Sequence, residues 1–236
     1  MPVPPATLAL DDALVLDARR AAYLPGPRIL AVADTHLGHA WVQRARGQLV
    51  PIGTPDDALP RLSDLVRDHG ARRLVVVGDV VHAALDVPGL RELLGRVASV
   101  APDGVVFVLG NHDRRLAERL REWGLGFECT DRLAIPGFEF VHGDRDPGPV
   151  APGTRRISGH EHPAMILGDG VATSAKVPVF LVGRGGVVLP AFSDWAGGCV
   201  VGEDRFLGPV AASLRIDARV ACLGPRLLRL PARRAD

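Results

Sequence analysis

The side chains able to do chemistry in this 236-residue chain are histidines, aspartates and one asparagine, gathered in short clusters. Asp34 and His36 stand in "ADTHLGH", Asp79 and His82 in "VGDVVH", Asn111 and His112 in "LGNHDR", His142 in "FVHGD", and His160 and His162 in "RISGHEHPAM". The set offers carboxylate, imidazole and amide donors without a thiolate. That mixture suits manganese, iron, zinc or a related divalent ion, and argues against a structural cysteine-type zinc site. Two ions held roughly 3.5–4 Å apart need about eight ligand positions, with one carboxylate bridging. Asp34, His36, Asp79, Asn111, His142, His160 and His162 supply that number if one of them serves twice. The spacing of two in His160-Glu161-His162 is not that of the helical H-E-x-x-H motif. In an extended segment alternate residues share a face. Both imidazoles would then turn inward and Glu161 outward, toward substrate or solvent. Glycines before Asp79, Asn111 and His160, and one after His142, let backbone and metals come close.

Each cluster alone has an ordinary reading: a chance D-x-H, a strand-end turn at Gly78-Asp79, a satisfied polar residue at His142. Their order and placement say more. Apolar runs at Arg28–Asp34, "RRLVVVGD" and "GVVFVLGNHD" read as buried strands, each ending in a polar cluster. In open α/β sheets, ligands gather beyond the carboxyl ends of strands. Helices are expected over "TPDDALPRLSDLVRDHG" with Thr54 as N-cap and Gly70 as stop, over "PGLRELLGRVASV", and over "RRLAERLREWG". Short strands are expected at Leu8–Leu16 and Ala21–Leu24. After Gly124 the pattern becomes mostly β: "FECT", "RLAI", "FEFVHGD", "RISGH", "MIL", "PVFLVG", "GVVLPAF", "ARVACLG" and "RLLRLP". Long proline-glycine loops fall at Val50–Thr54 and Asp146–Gly153. Residues 1–236 read as one domain, with metal motifs over 34–162 and a β-rich tail over 163–231. Two packed sheets would have their apolar faces together and helices outside.

Composition narrows the function classes. Apolar residues make up 47% and charged residues 23%, which is ordinary globular material. The net charge of +1 gives no overall footprint of a nucleic-acid binder. Lys176 is the only lysine; all other basic residues are arginine, the better bidentate phosphate partner. Arg44, Arg46, Arg114, Arg115, Arg145, Arg155, Arg156 and Arg184 flank the motifs and would form a local basic rim. Trp41 and Trp195 fall in loops expected near the site, where either could stack a base. His69, at a helix end, reads as a C-terminal cap. Cys129, Cys199 and Cys222 are widely spaced, which points to a reducing compartment. No signal-peptide pattern stands at the N-terminus, and no apolar run approaches the ~18 residues of a membrane span. The expected setting is cytoplasmic, with no membrane partner.

The five motifs "DTH", "GD", "GNHD", "HG" and "GHEH" together resemble those of the binuclear, calcineurin-like metallophosphoesterases, over Leu30 to about Phe192. The resemblance implies a four-layer α/β/β/α sandwich with two metals at the strand ends. It assigns one ion to Asp34, His36 and His162, the other to Asn111, His142 and His160, and makes Asp79 the bridge. It implies a shared water or hydroxide as nucleophile on phosphorus, and makes His112 the catalytic histidine. His82 stands where protein phosphatases of the superfamily carry aspartate and nuclease-type members often carry histidine. It would orient His112 or touch substrate.

Within the superfamily the chain looks most like the bacterial DNA-ligase-associated branch. "ILAVADTHLGH", "PIGTPDD" and the tail "VPVFLVGRGGVVLPAFSDWAGG" carry that likeness. It implies a manganese-dependent phosphodiesterase, an endonuclease cutting single-stranded DNA in repair, associated in function with an ATP-dependent DNA ligase and a helicase. The chain departs from the branch at His39, usually lysine, at Glu161, commonly leucine, and in "VHGDRD". Arg114 and His39 are the candidate substrate contacts. The alternatives are a small-molecule phosphodiesterase acting on cyclic nucleotides or nucleotide diesters, a lipid-precursor pyrophosphohydrolase, and a metal-bound scaffold.

Overall fold

The computed structural model describes residues 4–49, 58–82, 89–113, 115–168, 173–201 and 206–231. The chain opens with three antiparallel strands, β1 (Thr7–Asp11), β2 (Leu14–Asp17) and β3 (Ala21–Leu24). The single strand expected over Leu8–Leu16 is therefore a hairpin. Asp11 Oδ1 accepts the Ala13 amide at 2.8 Å, and this Asx turn reverses the chain. β4 (Ile29–Ala33), α1 (His39–Ala45), α2 (Ala58–His69), β5 (Arg73–Val77), α3 (Leu90–Ala98), β6 (Val105–Val108), α4 (Leu116–Glu122) and β7 (Glu128–Thr130) complete the first half. The second half holds β8 (Arg132–Ile135), β9 (Phe138–Val141), β10 (Arg155–Ser158), β11 (Pro163–Gly168), β12 (Ser174–Gly183), β13 (Gly186–Val188), β14 (Cys199–Val200), α5 (Pro209–Ser213), β15 (Ile216–Leu223) and β16 (Arg226–Pro231). The Thr54 cap expected for α2 lies outside the described residues. α1, β14 and α5 carry no signal that the expectations above picked up.

Among the described residues the strands form two mixed sheets. The first runs β1-β2-β3-β4-β5-β6-β7, with β4 to β7 parallel. The second runs β14-β11-β12-β13-β10-β9-β8, with β15 joining β12 to β16 and with β9 parallel to β10. Alternation along each central strand separates two cores. Leu30, Val32, Leu74, Val76 and Phe107 face α2, α3 and α4, whose Leu62, Leu65, Leu93, Leu94 and Leu120 fill the gap. Ala31, Ala33, Val75, Val77, Val106 and Val108 face the other way, onto Phe138, Phe140, Ile157, Phe180 and Val220 of the second sheet. Both faces of these strands are dry, which is why they read as continuous apolar runs. On the far side of the second sheet, Val179, Leu181, Val188 and Ala221 pack with Ala211 of the short α5. Among the described residues no helix is long and apolar enough to cross a membrane.

Two sequence readings change here. Trp41 lies in α1, not in a loop, and packs against the helix-side core, with Gly89 against its ring. His69 does more than end a helix. Its Nε2 lies 2.9 Å from Asp17 Oδ2, and its ring stacks on Tyr23 at 4.7 Å. Asp17 is fully buried and also accepts from Arg19 Nε at 2.9 Å and Nη2 at 2.8 Å. Burial alone would raise the Asp17 carboxyl; the bonds from Arg19 and His69 outweigh it and hold the group well below the usual carboxylate range. The charged form of Asp17 thus ties β2 to α2.

A carboxyl depressed on folding stabilises the protein above its unfolded pKa of about 3.9, and the contribution is lost as pH falls from there. Asp17→Asn should therefore cost about 1–3 kcal/mol at pH 7. The difference in melting temperature between wild type and variant should narrow as pH is lowered below about 4. A gap that stays constant from pH 7 to pH 3 would show that the charge on Asp17 is not what holds α2.

Candidate metal centre

The carboxyl ends of β4, β5 and β6 in one sheet, and of β9 and β10 in the other, meet at one edge. Asp34 follows β4, Asp79 follows β5, Asn111 and His112 follow β6, His142 follows β9, and His160 and His162 follow β10. The structure brings all seven expected ligands together. His36, Asp79 and His162 offer donor atoms within 4.8 Å of one another, and Asp79, His142 and His160 form a second such group. Asn111 Oδ1 lies 3.1 Å from His142 Nε2, on the side of the second group. Asp34 touches both: its Oδ1 is 3.6 Å from His142 Nδ1 and its Oδ2 is 3.6 Å from His162 Nε2.

Hydrogen bonding satisfies only part of this cluster. His142 Nε2 faces His160 Nδ1 at 3.1 Å, and His36 Nε2 faces His162 Nε2 at 3.4 Å, so ring nitrogens point at one another. Asp34 Oδ1, His142 Nδ1 and His36 Nδ1 are buried without a hydrogen-bond partner in the protein. Buried polar atoms left unpaired are costly. Carboxylate and imidazole donors converging this way fit hard to borderline divalent ions.

The electrostatics agree. Burial first, and then the neighbouring histidines, push His36 down to about 3 and His142 to about 2. Both rings are held neutral, the form that ligates a metal. Burial raises the Asp34 and Asp79 carboxyls, and for Asp79 the charge of Asp34 adds to it. His162 moves the other way: burial would lower it, but the Asp34 carboxylate it faces outweighs burial.

The backbone is bent to deliver these groups. Asp34 (φ 52°), His36 (43°), Asp79 (40°), His160 (67°) and His162 (44°) all lie in the left-handed region. Non-glycine residues there store strain that concentrates at functional sites. This overturns the extended reading of "GHEH". Two left-handed residues make a turn, not a strand, and Glu161 points inward. It is fully buried, and its carboxylate accepts the Leu207 amide at 2.8 and 2.9 Å and the Gly208 amide at 3.2 Å. Glu161 therefore pins the segment that covers His160 and Gly143. The glycine reading holds at the tightest contacts. A Cβ on Gly78 would fall 1.7 Å from His142 Nδ1, and one on Gly110 2.4 Å from Asp79 Oδ1.

Asp113 was not among the expected site residues. It is buried, and its carboxylate accepts amides from Gly110 at 2.8 Å and from Val80 and Val81 at 3.2 Å each. It ties the turn after β6 to the turn after β5; burial pushes its carboxyl up to about 7. The last letter of "GNHD", a short acceptor three residues after a strand-end glycine, was the available signal.

Around the cluster, the His112 side chain is 40% exposed, with Nε2 3.9 Å from Asp79 Oδ2 and its amide donating to Asp79 Oδ1 at 3.0 Å. His82 lies ring against ring with His112, centroids 6.1 Å apart and planes at 13°, and edge-on to His36 at 5.5 Å. Burial and neighbouring histidines push His82 down to about 4. His39 opens α1 beside His82 at 4.2 Å. Arg114 lies outside the described residues. Of the expected arginine rim, Arg155 pairs with Asp11 at 2.5 Å, Arg156 with Glu139 at 2.6 Å and Arg145 with Asp144 at 3.1 Å.

Gly78→Ala is expected to disrupt the centre, because Gly78 has φ 73° and its new Cβ would collide with the His142 ring. Metal bound per chain, read by elemental analysis, should fall well below wild type while the far-ultraviolet circular dichroism stays native-like. Unchanged metal content would mean that His142 has room to move and that its position is not fixed by this contact.

The comparisons with known proteins agree with this geometry. Residues 27–156, more than half of the chain, match the family model described as calcineurin-like phosphoesterase. A search of the curated proteins returns no match. Among solved structures, the chain is similar to the crystal structure of the Pseudomonas putida nuclease MPE, with a TM-score of 0.67 and 24% identity over 96% of this chain and 100% of that one. The chain belongs to the calcineurin-like phosphoesterase family.

Proposed function

We propose that the protein is a metal-dependent phosphodiesterase that cuts single-stranded DNA endonucleolytically. Asp34, His36, Asp79 and His162 would hold one divalent ion, and Asp79, Asn111, His142 and His160 a second; the donor set suits manganese, iron or zinc, and the resemblance to the DNA-ligase-associated branch favours manganese. The observation that carries the reading is that two donor groups share one carboxylate, Asp79. Two divalent ions so held acidify a water and neutralise charge on a phosphoryl group.

The chain's own residues supply the rest. His112 stands at the open side of the cluster, half-buried, and is placed to give a proton to the leaving oxygen. Its backbone is fixed on Asp79, so its ring keeps its station beside the bridging carboxylate. His82 packs along the His112 ring and limits its swing, a positioning role. Asp113 and Glu161 hold the turns that carry these groups. The nucleic-acid substrate is supported by the shared fold with a nuclease. With a net charge of +1 the affinity must come from contacts at the site, not from the field of the whole protein. A role in DNA repair beside an ATP-dependent ligase and a helicase belongs to the same reading.

The test is metal content and cleavage in wild type and Asp79→Ala. Wild-type protein loaded with manganese should cut a single-stranded oligonucleotide internally. Asp79→Ala should lose most bound metal and more than about a hundredfold in rate, because both ions lose a ligand. Hydrolysis of cyclic nucleotides with no cleavage of any oligonucleotide would move the assignment to a small-molecule phosphodiesterase.

A further inference from the structure

We propose that Trp195 and His39 form a stacking shelf for the nucleobase of a nucleotide flanking the scissile phosphate; the inference rests on the phosphodiesterase reading above and names the part of the substrate held beside the metals. Three observations carry it. First, Trp195 stands apart from the other two tryptophans. Trp41 and Trp123 pack against the helix-side core, whereas Trp195 belongs to none of the three apolar clusters and is 42% exposed. An indole left in water beside a polar cluster is not there to fill a core.

Second, its ring is already placed for stacking. It lies on the His39 imidazole with centroids 5.6 Å apart and planes at 28°. Both rings line one hollow of about 110 Å³ together with His36, a residue of the metal cluster, and Arg61. A phosphate at His36 and a base at Trp195 would therefore share one continuous cleft. Aromatic faces bind bases of any sequence, since every base has a π-face.

Third, the loop that carries Trp195 is held at several points. At its root, the Phe192 and Ser193 amides donate to the Ala33 and Asp34 carbonyls at 2.7 and 3.2 Å. Arg20 donates to the carbonyls of Ala191 and Ser193 at 3.3 and 3.2 Å and pairs with Asp194 at 2.8 Å. Arg61 pairs with Asp194 at 3.3 Å and lies over the Phe192 ring at 3.7 Å. Lys176, the sole lysine, donates to the Gly197 and Gly198 carbonyls. An aromatic side chain on so well fixed a loop loses little further freedom when a base stacks on it.

The experiment pairs a protein change with a substrate change. Manganese-loaded wild type, Trp195→Ala and Trp195→Phe are assayed on a thymidylate oligomer and on the same oligomer carrying a single abasic residue at each position in turn, with bis(p-nitrophenyl) phosphate run on the wild type. Trp195→Ala should raise KM for the intact oligomer about tenfold, with kcat little changed, and Trp195→Phe should recover most of the loss. Removing the base that stacks should raise the wild-type KM by a similar factor, and Trp195→Ala should add little further to that substrate. A KM for the intact oligomer unchanged in Trp195→Ala overturns the shelf and leaves the phosphodiesterase reading standing. So does an equal loss on intact and every abasic oligomer, which marks general damage. Wild-type hydrolysis of bis(p-nitrophenyl) phosphate without cleavage of the oligomer overturns the DNA reading and the shelf with it.

Discussion

Two carboxylates and four imidazoles are forced into one largely buried cluster at the meeting edge of two sheets, and the rest of the molecule is arranged around that demand. Asp34 and Asp79 are buried, and their charges repel one another. His36 and His142 are held neutral, and ring nitrogens of His142 and His160, and of His36 and His162, are aimed at each other. A protein interior does not tolerate such an arrangement for its own stability, because unpaired buried donors and like charges both cost free energy. A pair of divalent cations removes both costs at once, which is why the donor set reads as a metal centre even before any family is considered.

Holding that pocket together takes structure that looks wasteful elsewhere. Five of the candidate ligands sit in left-handed turns, each a strained conformation costing of order 1–3 kcal/mol for a non-glycine residue. The strain is borne by stiff surroundings. β4 and β5, which feed three of these turns, are parallel neighbours with both faces packed in apolar cores, and β10 buries Ile157 in the core between the sheets. The turns are cross-linked by buried acids that do not themselves face the pocket. Asp113 joins the turns after β5 and β6, and Glu161 joins the turn after β10 to the segment leading into α5. Where the ligand turns must approach most closely, glycine takes the place of a side chain that would collide with His142 or Asp79.

What was legible in the sequence follows from this division. The central strands announce themselves because dry faces on both sides demand continuous apolar runs, and the ligands because polar clusters interrupt those runs at their ends. The glycines next to Asp79, Asn111 and His160 were readable for the same reason. What failed was anything decided by tertiary partners. Glu161 looked solvent-facing because alternation assumes an extended chain, and nothing local reveals that His160 and His162 are both left-handed. Arg155 and Arg156 looked available because their acids, Asp11 and Glu139, are remote in sequence. Trp41 read as a loop residue because α1 is only 7 residues long and has no side-chain cap to mark its start. His69 hid its role because Asp17 lies 52 residues away.

The strand that delivers Asp34 has a second task. Its final carbonyls, on Ala33 and Asp34, accept from Phe192 and Ser193, and Ala33 forms an isolated parallel bridge with Ala191. The segment 191–195 thus extends the hydrogen-bonded frame of β4 past the end of the first sheet. Arg20, itself left-handed at φ 68°, reaches the same segment from the turn between β2 and β3. The candidate ligand Asp34 and the segment that carries Trp195 are therefore joined by backbone hydrogen bonds. If the cluster holds the metals, a wall fixed to the strand that leads into Asp34 keeps a constant distance from them, and holding substrate in a fixed orientation supplies part of the rate advantage of a preorganised site.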